Sequence, residues 1–249
     1  MKESIKKTFN HFKIHTQFSI CEGAVKINQL KDFCKINKIK SLGLSDTFNL
    51  SGALEFSENL SSVGTQPIIG TQIQFKYKNF TGFIPLISKN KDGYKNIIEL
   101  SSKSYLENSE ITDPHCNFDD LLNKSSGIIV LSGSINCLIG SLFNKGLFNE
   151  INEITEKLSK KFKNDYYIEI QRHNDLNEKE FENFNLNISK KFDLPIIATN
   201  EVYYLDQNMF EAHDALMCIG QKKYVNDENR LKLSNQHYLK SSDVMIELF

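Results

Sequence analysis

The sequence lacks a Cys-x-x-Cys pair, and its five cysteines are odd in number. This usage is typical of a reducing compartment and excludes a disulfide framework. The charged N-terminus has no apolar stretch behind it, so it does not resemble a signal peptide. No apolar run approaches the about 20 residues that cross a bilayer. We therefore expect a cytoplasmic protein without membrane contact.

The chain also has little net charge, because 30 Lys and Arg residues oppose 31 Asp and Glu residues and leave a net charge of −1. This balance argues against a whole-domain attraction to nucleic acid. No glycine-rich loop of the kind that cradles phosphates is present. The hydrophobic content of 40% and charged content of 24% are typical of a soluble globular protein.

Residues 9–23 are the most informative stretch that is present. Polar and apolar residues alternate from His11 to His15, which predicts a strand with one buried face. Gly23 then leads into a helix predicted over residues 24–37. His11, Lys13 and His15 share one face of the strand, so a cation projects between two potential metal ligands.

The rest of the chain alternates between strand and helix patterns. Strands are predicted at 42–46, 67–75, 80–87, 127–133, 166–170 and 195–199, and helices at 50–60, 93–105, 148–162, 177–192 and 210–217, with a loop at 106–118. The second and third of these strands can pair as a hairpin. The order otherwise predicts an α/β fold with parallel strands and right-handed crossovers. Polar residues end strands along the whole chain, which favours a closed barrel whose strand ends meet at one mouth.

No change in composition divides the chain, so we expect a single domain over residues 1–249. The polar stretch 221–249 has no obvious role in the core, yet it stops on an apolar Leu248-Phe249. We expect the chain to be the front of a longer protein, with about the last 25 residues leading towards the remainder.

Several segments, in order along nearly the whole chain, carry a family resemblance. They are His15-Thr-Gln-Phe-Ser-Ile-Cys-Glu-Gly23, Leu44-Ser-Asp-Thr-Phe-Asn-Leu-Ser-Gly-Ala-Leu-Glu-Phe56, Pro67-Ile-Ile-Gly70, Asp92-Gly-Tyr-Lys-Asn96, Val130-Leu-Ser-Gly133, Tyr167-Ile-Glu-Ile170, Pro195-Ile-Ile-Ala-Thr-Asn-Glu-Val202, Ala212-His-Asp214 and Glu247-Leu-Phe249. Together they resemble the polymerase-and-histidinol-phosphatase (PHP) domain at the N-terminus of bacterial DNA polymerase III alpha subunits. The resemblance implies a distorted seven-stranded (β/α) barrel. It also implies that the catalytic residues of the parent polymerase, with their Mg²⁺, lie beyond residue 249.

Active members of that family resemble metal hydrolases with three ions, held by histidines, carboxylates and a cysteine. The positions that match this ligand pattern are Lys13, His15, Glu22, Asp46, Thr47, Gln72, Phe83, Ser134, Glu201 and Tyr203. At most of these positions the resemblance implies that a metal ligand has been replaced. Lys13 and Thr47 occupy the places of histidines, Gln72 that of an acidic residue, and Ser134 that of the cysteine. Four possible ligands of zinc or manganese remain, namely His15, Glu22, Asp46 and Glu201.

Lys13 would act directly against metal binding. Two unit charges about 4 Å apart interact by about 4 kcal/mol at an effective dielectric near 20, and a divalent ion would feel about twice that. We predict that Lys13 fills the vacated metal space and pairs with Glu22, Asp46 or Glu201. On this interpretation the ten positions form a vestigial pocket with no catalytic residue, no metal and no other cofactor.

The other histidines have simpler interpretations. His11 is expected to pack or to form a hydrogen bond, and His213 to pack or to cap a helix. His115-Cys116 is expected to be exposed in a loop. His173 could reach the mouth of the barrel, with structural and functional roles equally open, and no motif surrounds His237.

Three functions remain possible. In the first, the chain is a non-catalytic barrel that braces the replicative polymerase and docks its proofreading exonuclease subunit, meeting DNA only through the parent polymerase. The second is a metal-dependent phosphoesterase or 3′→5′ exonuclease with a reduced ligand set. The third, a free-standing metabolic phosphatase, is disfavoured by polymerase-type segments such as Asp92-Gly-Tyr-Lys-Asn96.

Overall fold

The structure is a computed structural model that describes residues 8–107 and 113–249. The strands in these ranges are β1 (Lys13–Ile14), β2 (Ser41–Thr47), β3 (Gln66–Tyr77), β4 (Phe80–Ser88), β5 (His115–Asn117), β6 (Ile128–Leu131), β7 (Tyr166–Ile170), β8 (Ile196–Ala198) and β9 (Glu201–Val202). The α-helices are α1 (Ile27–Asn37), α2 (Ala53–Ser61), α3 (Lys91–Leu106), α4 (Phe118–Asn123), α5 (Leu138–Asn144), α6 (Phe148–Phe162), α7 (Glu178–Phe192), α8 (Phe210–Gln221) and α9 (Ser242–Leu248).

The strands form one curled sheet in the order β8-β7-β6-β4-β3-β2-β1-β9, with β5 added beside β3. The two ends of this sheet, β8 and β9, are consecutive in the chain and are separated only by Thr199 and Asn200. The segment therefore pairs with β7 at its start and with β1 at its end. Counting β8 and β9 as one interrupted strand gives the seven strands of the predicted PHP-type (β/α) barrel, and the predicted fold class is confirmed.

Most neighbouring strands are parallel, as the alternation of strands and helices predicts. The exception is β4, which runs antiparallel to both β3 and β6. A turn of two residues, Lys78 and Asn79, joins β3 to β4, and Lys78 has a positive φ of 54°. The predicted hairpin is therefore confirmed, and one strand of the barrel is reversed.

Helices α2, α3, α5, α6 and α7 pack against the strands and bury apolar residues there. In α6 the residues Ile151, Ile154 and Leu158 are buried, three or four positions apart, as the sequence pattern predicts. Full burial of such a side chain contributes about 1.5–3 kcal/mol. Among the described residues, no helix combines the length and the apolar content needed to span a membrane.

Two predictions about local structure are wrong. The first strand is buried on both faces rather than on one, because Lys13, Ile14 and His15 are all buried. The predicted loop at 106–118 contains β5 and the start of α4, while residues 108–112 lie outside the described residues. Cys116 is consequently buried beside β3 rather than exposed, and it donates a hydrogen bond to the Leu100 carbonyl.

The C-terminal stretch also differs from the prediction. Leu233, Leu239 and Met245 are buried, so residues 221–249 contribute to the core. Residues 237–239 lie beside the continuation of β9, where the Tyr203 amide donates to the His237 carbonyl and the Leu239 amide donates to the Tyr204 carbonyl. This pairing brings the C-terminal stretch against the strand that closes the barrel.

Candidate functional site

The site is built where β1 lies between β2 and β9. Parallel pairing sets Lys13 opposite Glu201 and Ile14 opposite Val202. The side chain of Lys13 is only 1% exposed, because strands pair with β1 on both sides and Lys13 reaches across the barrel to Glu169 of β7. The strand register alone therefore places a buried cation next to a buried carboxylate.

Lys13 forms two buried ion pairs. Its Nζ lies 3.0 Å from Oε1 of Glu201 and 3.3 Å from Oε1 of Glu169. Burial alone would lower the pKa of Lys13, but the charges of Glu169 and Glu201 outweigh it and raise the pKa above its ordinary value. Lys13 thus pairs with Glu201, which is one of its three predicted partners. Its second partner is Glu169, and it does not pair with Glu22 or Asp46.

Glu169 is the member of the pocket that sequence reasoning missed. The signal that identifies it in the sequence is its place as the one acidic residue of the otherwise apolar strand β7. The Gln171 amide donates to its Oε1 at 2.7 Å, and the Thr199 hydroxyl donates to the same oxygen. These contacts fix the carboxylate that faces Lys13.

His15 lies next to this ion-pair network. Its Nε2 is 3.4 Å from Oε1 of Glu201, and its ring stacks on that of Tyr203 with centroids 4.5 Å apart. Burial alone would raise the pKa of Glu201, but Lys13 and the contact with His15 hold it well below its ordinary value. Burial and the negative charge of Glu201 raise the pKa of Tyr203 well above its ordinary value, so the phenol stays protonated.

Three more of the predicted positions form a chain of hydrogen bonds. The Gln72 amide donates to the Thr47 hydroxyl at 3.0 Å, and that hydroxyl donates to the Glu22 carboxylate at 2.6 Å. The hydroxyl also lies 3.5 Å from Nδ1 of His15. Glu22 is thus engaged by a neutral donor and is not paired with Lys13.

Asp46 is turned towards the loop that follows β1. It accepts hydrogen bonds from the Thr16 amide at 2.6 Å, the Thr16 hydroxyl at 2.8 Å and the Ser19 hydroxyl at 2.7 Å. Burial raises its pKa, although these donors oppose the rise. Asp46 therefore organises the loop rather than the ion pairs.

The last two predicted positions lie outside these contacts. Phe83 packs against Phe48 with ring centroids 5.0 Å apart. The Ser134 hydroxyl lies 3.4 Å from Sγ of Cys137, a buried thiol whose pKa burial raises to about 11. Neither contributes a charged group.

The resemblance implies a three-ion cluster in active family members, and the side chains of this pocket do not supply its ligand set. The ammonium group of Lys13 lies against Glu169 and Glu201 and offers no lone pair. Phe83 has no ligand atom, and Thr47, Gln72 and Ser134 are neutral. Hydrolytic metals need imidazole and carboxylate ligands at about 2.0–2.2 Å. Here Glu201 already neutralises Lys13, and Glu22 and Asp46 already accept hydrogen bonds.

A second cluster borders this pocket, on the other side of the Glu201 backbone. The rings of His173 and His237 stack with centroids 4.1 Å apart and planes within 5°. The Glu201 amide donates to Nε2 of His173, and Nδ1 of His237 lies 3.0 Å from the Glu201 carbonyl oxygen. Asp175 Oδ2 lies 3.0 Å from Nε2 of His237. Sequence reasoning could not find this arrangement, because no local motif joins two histidines so far apart in the chain.

His213 and His11 have structural contacts that agree with their simple interpretations. Nε2 of His213 lies 2.7 Å from the Glu22 carbonyl oxygen, and the ring packs on Tyr203 and Tyr204. Nε2 of His11 lies 2.9 Å from the Lys240 carbonyl oxygen, so that nitrogen donates. Burial lowers the pKa of His11 from 6.5 to about 4.

The buried His11 predicts a pH dependence of stability. The folded chain keeps His11 neutral down to about pH 4, whereas the unfolded chain protonates it near pH 6.5. The unfolded state then binds more protons in this window, so the stability falls as the pH falls through it. We expect His11→Gln, which retains an N–H donor, to remove about 2 kcal/mol of the stability that the wild type loses between about pH 7 and pH 5. Urea unfolding at both values measures this difference, and identical losses in the two proteins would contradict it.

Comparison with known proteins identifies the family. Residues 11–173 match the PHP domain family, and the chain belongs to it. The chain is 31% identical over 257 residues to the DNA polymerase III subunit alpha of Caulobacter vibrioides, covering 100% of this chain and 22% of that protein. It is 32% identical to the same subunit of Borreliella burgdorferi, over 99% of this chain and 22% of that protein. The chain thus spans about a fifth of the length of these relatives and matches their N-terminal region.

Solved structures support the fold. A two-domain protein from Bacteroides vulgatus, described as containing a predicted PHP-like metal-dependent phosphoesterase, superposes with a TM-score of 0.51 at 13% identity, over 96% of this chain and 62% of that chain. An amidohydrolase from Chromobacterium violaceum superposes with a TM-score of 0.50 at 9% identity, over 78% of this chain and 87% of that chain. At these identities the likeness concerns the barrel alone.

Proposed function

We propose that the chain is the N-terminal PHP module of a bacterial DNA polymerase III alpha chain, and that the module does not itself catalyse hydrolysis. The similarity over the whole chain to alpha subunits supports the first part. On this proposal residues 1–249 are a single domain, and DNA synthesis, with its Mg²⁺, belongs to the longer remainder of the parent chain. The module meets DNA only through that parent, in the cytoplasm.

The observation that carries the second part is the position of Lys13. Its ammonium group lies between Glu169 and Glu201, at 3.3 and 3.0 Å, in the pocket where active family members hold ions. A lysine in this position supplies the positive charge that the carboxylates need in a buried site. The pocket is then electrostatically satisfied with no metal, and no water is activated for attack.

A non-catalytic barrel would serve as a brace and as a docking surface. Large apolar side chains are exposed at and after the end of α8, with Ile219 69% and Tyr224 82% exposed. Gln221 holds this region together through hydrogen bonds with the backbone of Leu231. We assign to this surface the docking of the proofreading exonuclease subunit, while about the last 25 residues lead to the polymerase body.

Ile219→Ser combined with Tyr224→Ser is expected to weaken the binding of the exonuclease subunit at least tenfold, because both changes remove apolar contact area from an exposed patch. Titration of the purified alpha chain with the exonuclease subunit measures the effect. Ile36→Ser is the control, since Ile36 is 78% exposed but lies on α1. Unchanged affinity in the double variant would refute the assigned surface.

The alternative is a metal-dependent phosphoesterase or 3′→5′ exonuclease that uses His15, Glu22, Asp46 and Glu201 with zinc or manganese. The purified alpha chain, free of exonuclease subunit, is incubated with an aryl phosphate and with 3′-labelled DNA in the presence of Zn²⁺, Mn²⁺ or Mg²⁺. We expect equal background hydrolysis by the wild type and by His15→Ala. Hydrolysis that disappears in His15→Ala would favour the alternative.

A further inference from the structure

The cluster of His173, Asp175 and His237, here called the histidine cluster, lies outside the Lys13 pocket. Both rings are almost fully buried, and the Asp175 side chain is 11% exposed. His173 and Asp175 follow β7, whereas His237 belongs to the C-terminal stretch that lies beside the continuation of β9. The cluster therefore joins two parts of the chain that are remote in sequence.

Each ring has one nitrogen oriented by an oxygen atom. Nδ1 of His173 lies 3.0 Å from the Glu178 carboxylate, and Nδ1 of His237 lies 3.0 Å from the Glu201 carbonyl. Metal-binding histidines almost always donate their second N–H to a carboxylate or to a backbone carbonyl in this way. The Nε2 atoms of both rings are therefore the candidate ligand atoms.

The separations suit a small ion. One ring nitrogen of each histidine and a carboxylate oxygen of Asp175 all lie within 4.8 Å of one another. Ligand atoms bonded to a tetrahedral zinc ion at about 2.0–2.1 Å are about 3.3 Å apart, and the His237–Asp175 pair is already at 3.0 Å. The His173 ring must tilt out of its parallel stack and release the Glu201 amide to complete the set. A water molecule would supply the fourth ligand and would enter beside Asp175, whose side chain is 11% exposed.

The charges next to the cluster also favour a cation. The carboxylates of Glu178 and Asp175 contact the two rings, and the ammonium group of Lys240 opposes them. One negative charge therefore remains at the cluster, and a bound cation compensates it.

We propose that His173, Asp175 and His237 bind one divalent transition-metal ion of the zinc class. The ion takes the place of the proton between His237 and Asp175 and fixes the C-terminal stretch to the end of β7. Its role is structural, since it cross-links residues 175 and 237 across the closing strand of the barrel. The site is independent of whether the Lys13 pocket hydrolyses anything.

The intact protein that contains this chain is stripped with chelator and titrated with Zn²⁺ and with Co²⁺. We expect one equivalent of Zn²⁺ that is lost in His237→Gln and in Asp175→Asn but retained in His15→Gln and in the control His213→Gln. Bound Co²⁺ should give the visible absorption of a four-coordinate site in the wild type, in His15→Gln and in His213→Gln, but not in the two cluster variants. Zinc should raise the melting temperature of the wild type and leave that of the two cluster variants unchanged.

Should His237→Gln fail to fold, Glu178→Gln provides the second test, with an expected loss of affinity of about tenfold to a hundredfold because it removes the carboxylate that orients His173. Equal zinc content in the wild type and the cluster variants would overturn the inference. Loss of zinc in His15→Gln with retention in His237→Gln would overturn it too, and would at the same time place the metal in the Lys13 pocket. Metal-dependent hydrolysis by a protein whose histidine cluster still binds one equivalent of Zn²⁺ would count only against the proposed function.

Discussion

Replacing Lys13 by methionine is expected to lower the free energy of unfolding by about 3–5 kcal/mol. Methionine keeps the length and apolar stem of the side chain but removes the ammonium group. Glu169 and Glu201 would then face each other in a buried pocket without a counter-charge. Urea unfolding of the variant and the wild type at neutral pH measures the loss.

The matched control is Lys78→Met. Lys78 forms an ion pair with Glu153 at 2.6 Å, but both side chains are 49% exposed, so we expect a change of at most about 1 kcal/mol. Adding Glu201→Gln to Lys13→Met should restore part of the stability, because it removes one of the unpaired charges. A Lys13→Met protein as stable as the control would disprove the role of Lys13 as the internal counter-ion of the pocket.

Gly23→Ala is expected to cost about 3 kcal/mol, as an added methyl group in a closely packed site does. A Cβ at this position would lie 2.0 Å from the Thr16 carbonyl oxygen and 2.7 Å from that of His15. The loop from Thr16 to Gly23 would have to move, and with it the hydrogen bonds that Thr16 donates to Asp46. Thermal unfolding of the purified variant reports the cost.

Gly64→Ala controls for the added methyl group. Its φ of +79° makes alanine unfavourable by about 1–2 kcal/mol, but no atom lies within 4 Å of the new Cβ. The two variants therefore separate backbone strain from steric overlap. A smaller loss for Gly23→Ala than for Gly64→Ala would show that the loop after β1 adapts without cost.

Local sequence pattern was sufficient for the elements with a long, regular period. The apolar spacing predicted α6 over residues 148–162, and the alternation of strands with helices predicted the parallel strands. It was insufficient where an element is short or its faces are equally buried. The strand β1 looked half-exposed because Lys13 and His15 are polar, and α5 was not predicted at all.

The pocket illustrates the same limit. The family resemblance assigns Lys13, His15 and Glu201 to one pocket, and the structure places both Lys13 and His15 in contact with Glu201. It did not assign Glu169 to Lys13, because that choice depends on how far β7 lies around the barrel from β1. Nor did it separate Asp46 from the ion pairs, since its partners come from the loop after β1.

The sequence by itself determined the fold class, the family and the presence of a lysine between two histidines of the first strand, because these are properties of local pattern and of residue identity. Only the tertiary structure decided which carboxylates neutralise that lysine and which histidines meet. Glu169 and Glu201 reach Lys13 from different strands, and His237 reaches His173 from the C-terminal stretch. Such pairings depend on the closure of the barrel, which brings distant segments within a few ångströms and leaves no trace in the local order of residues.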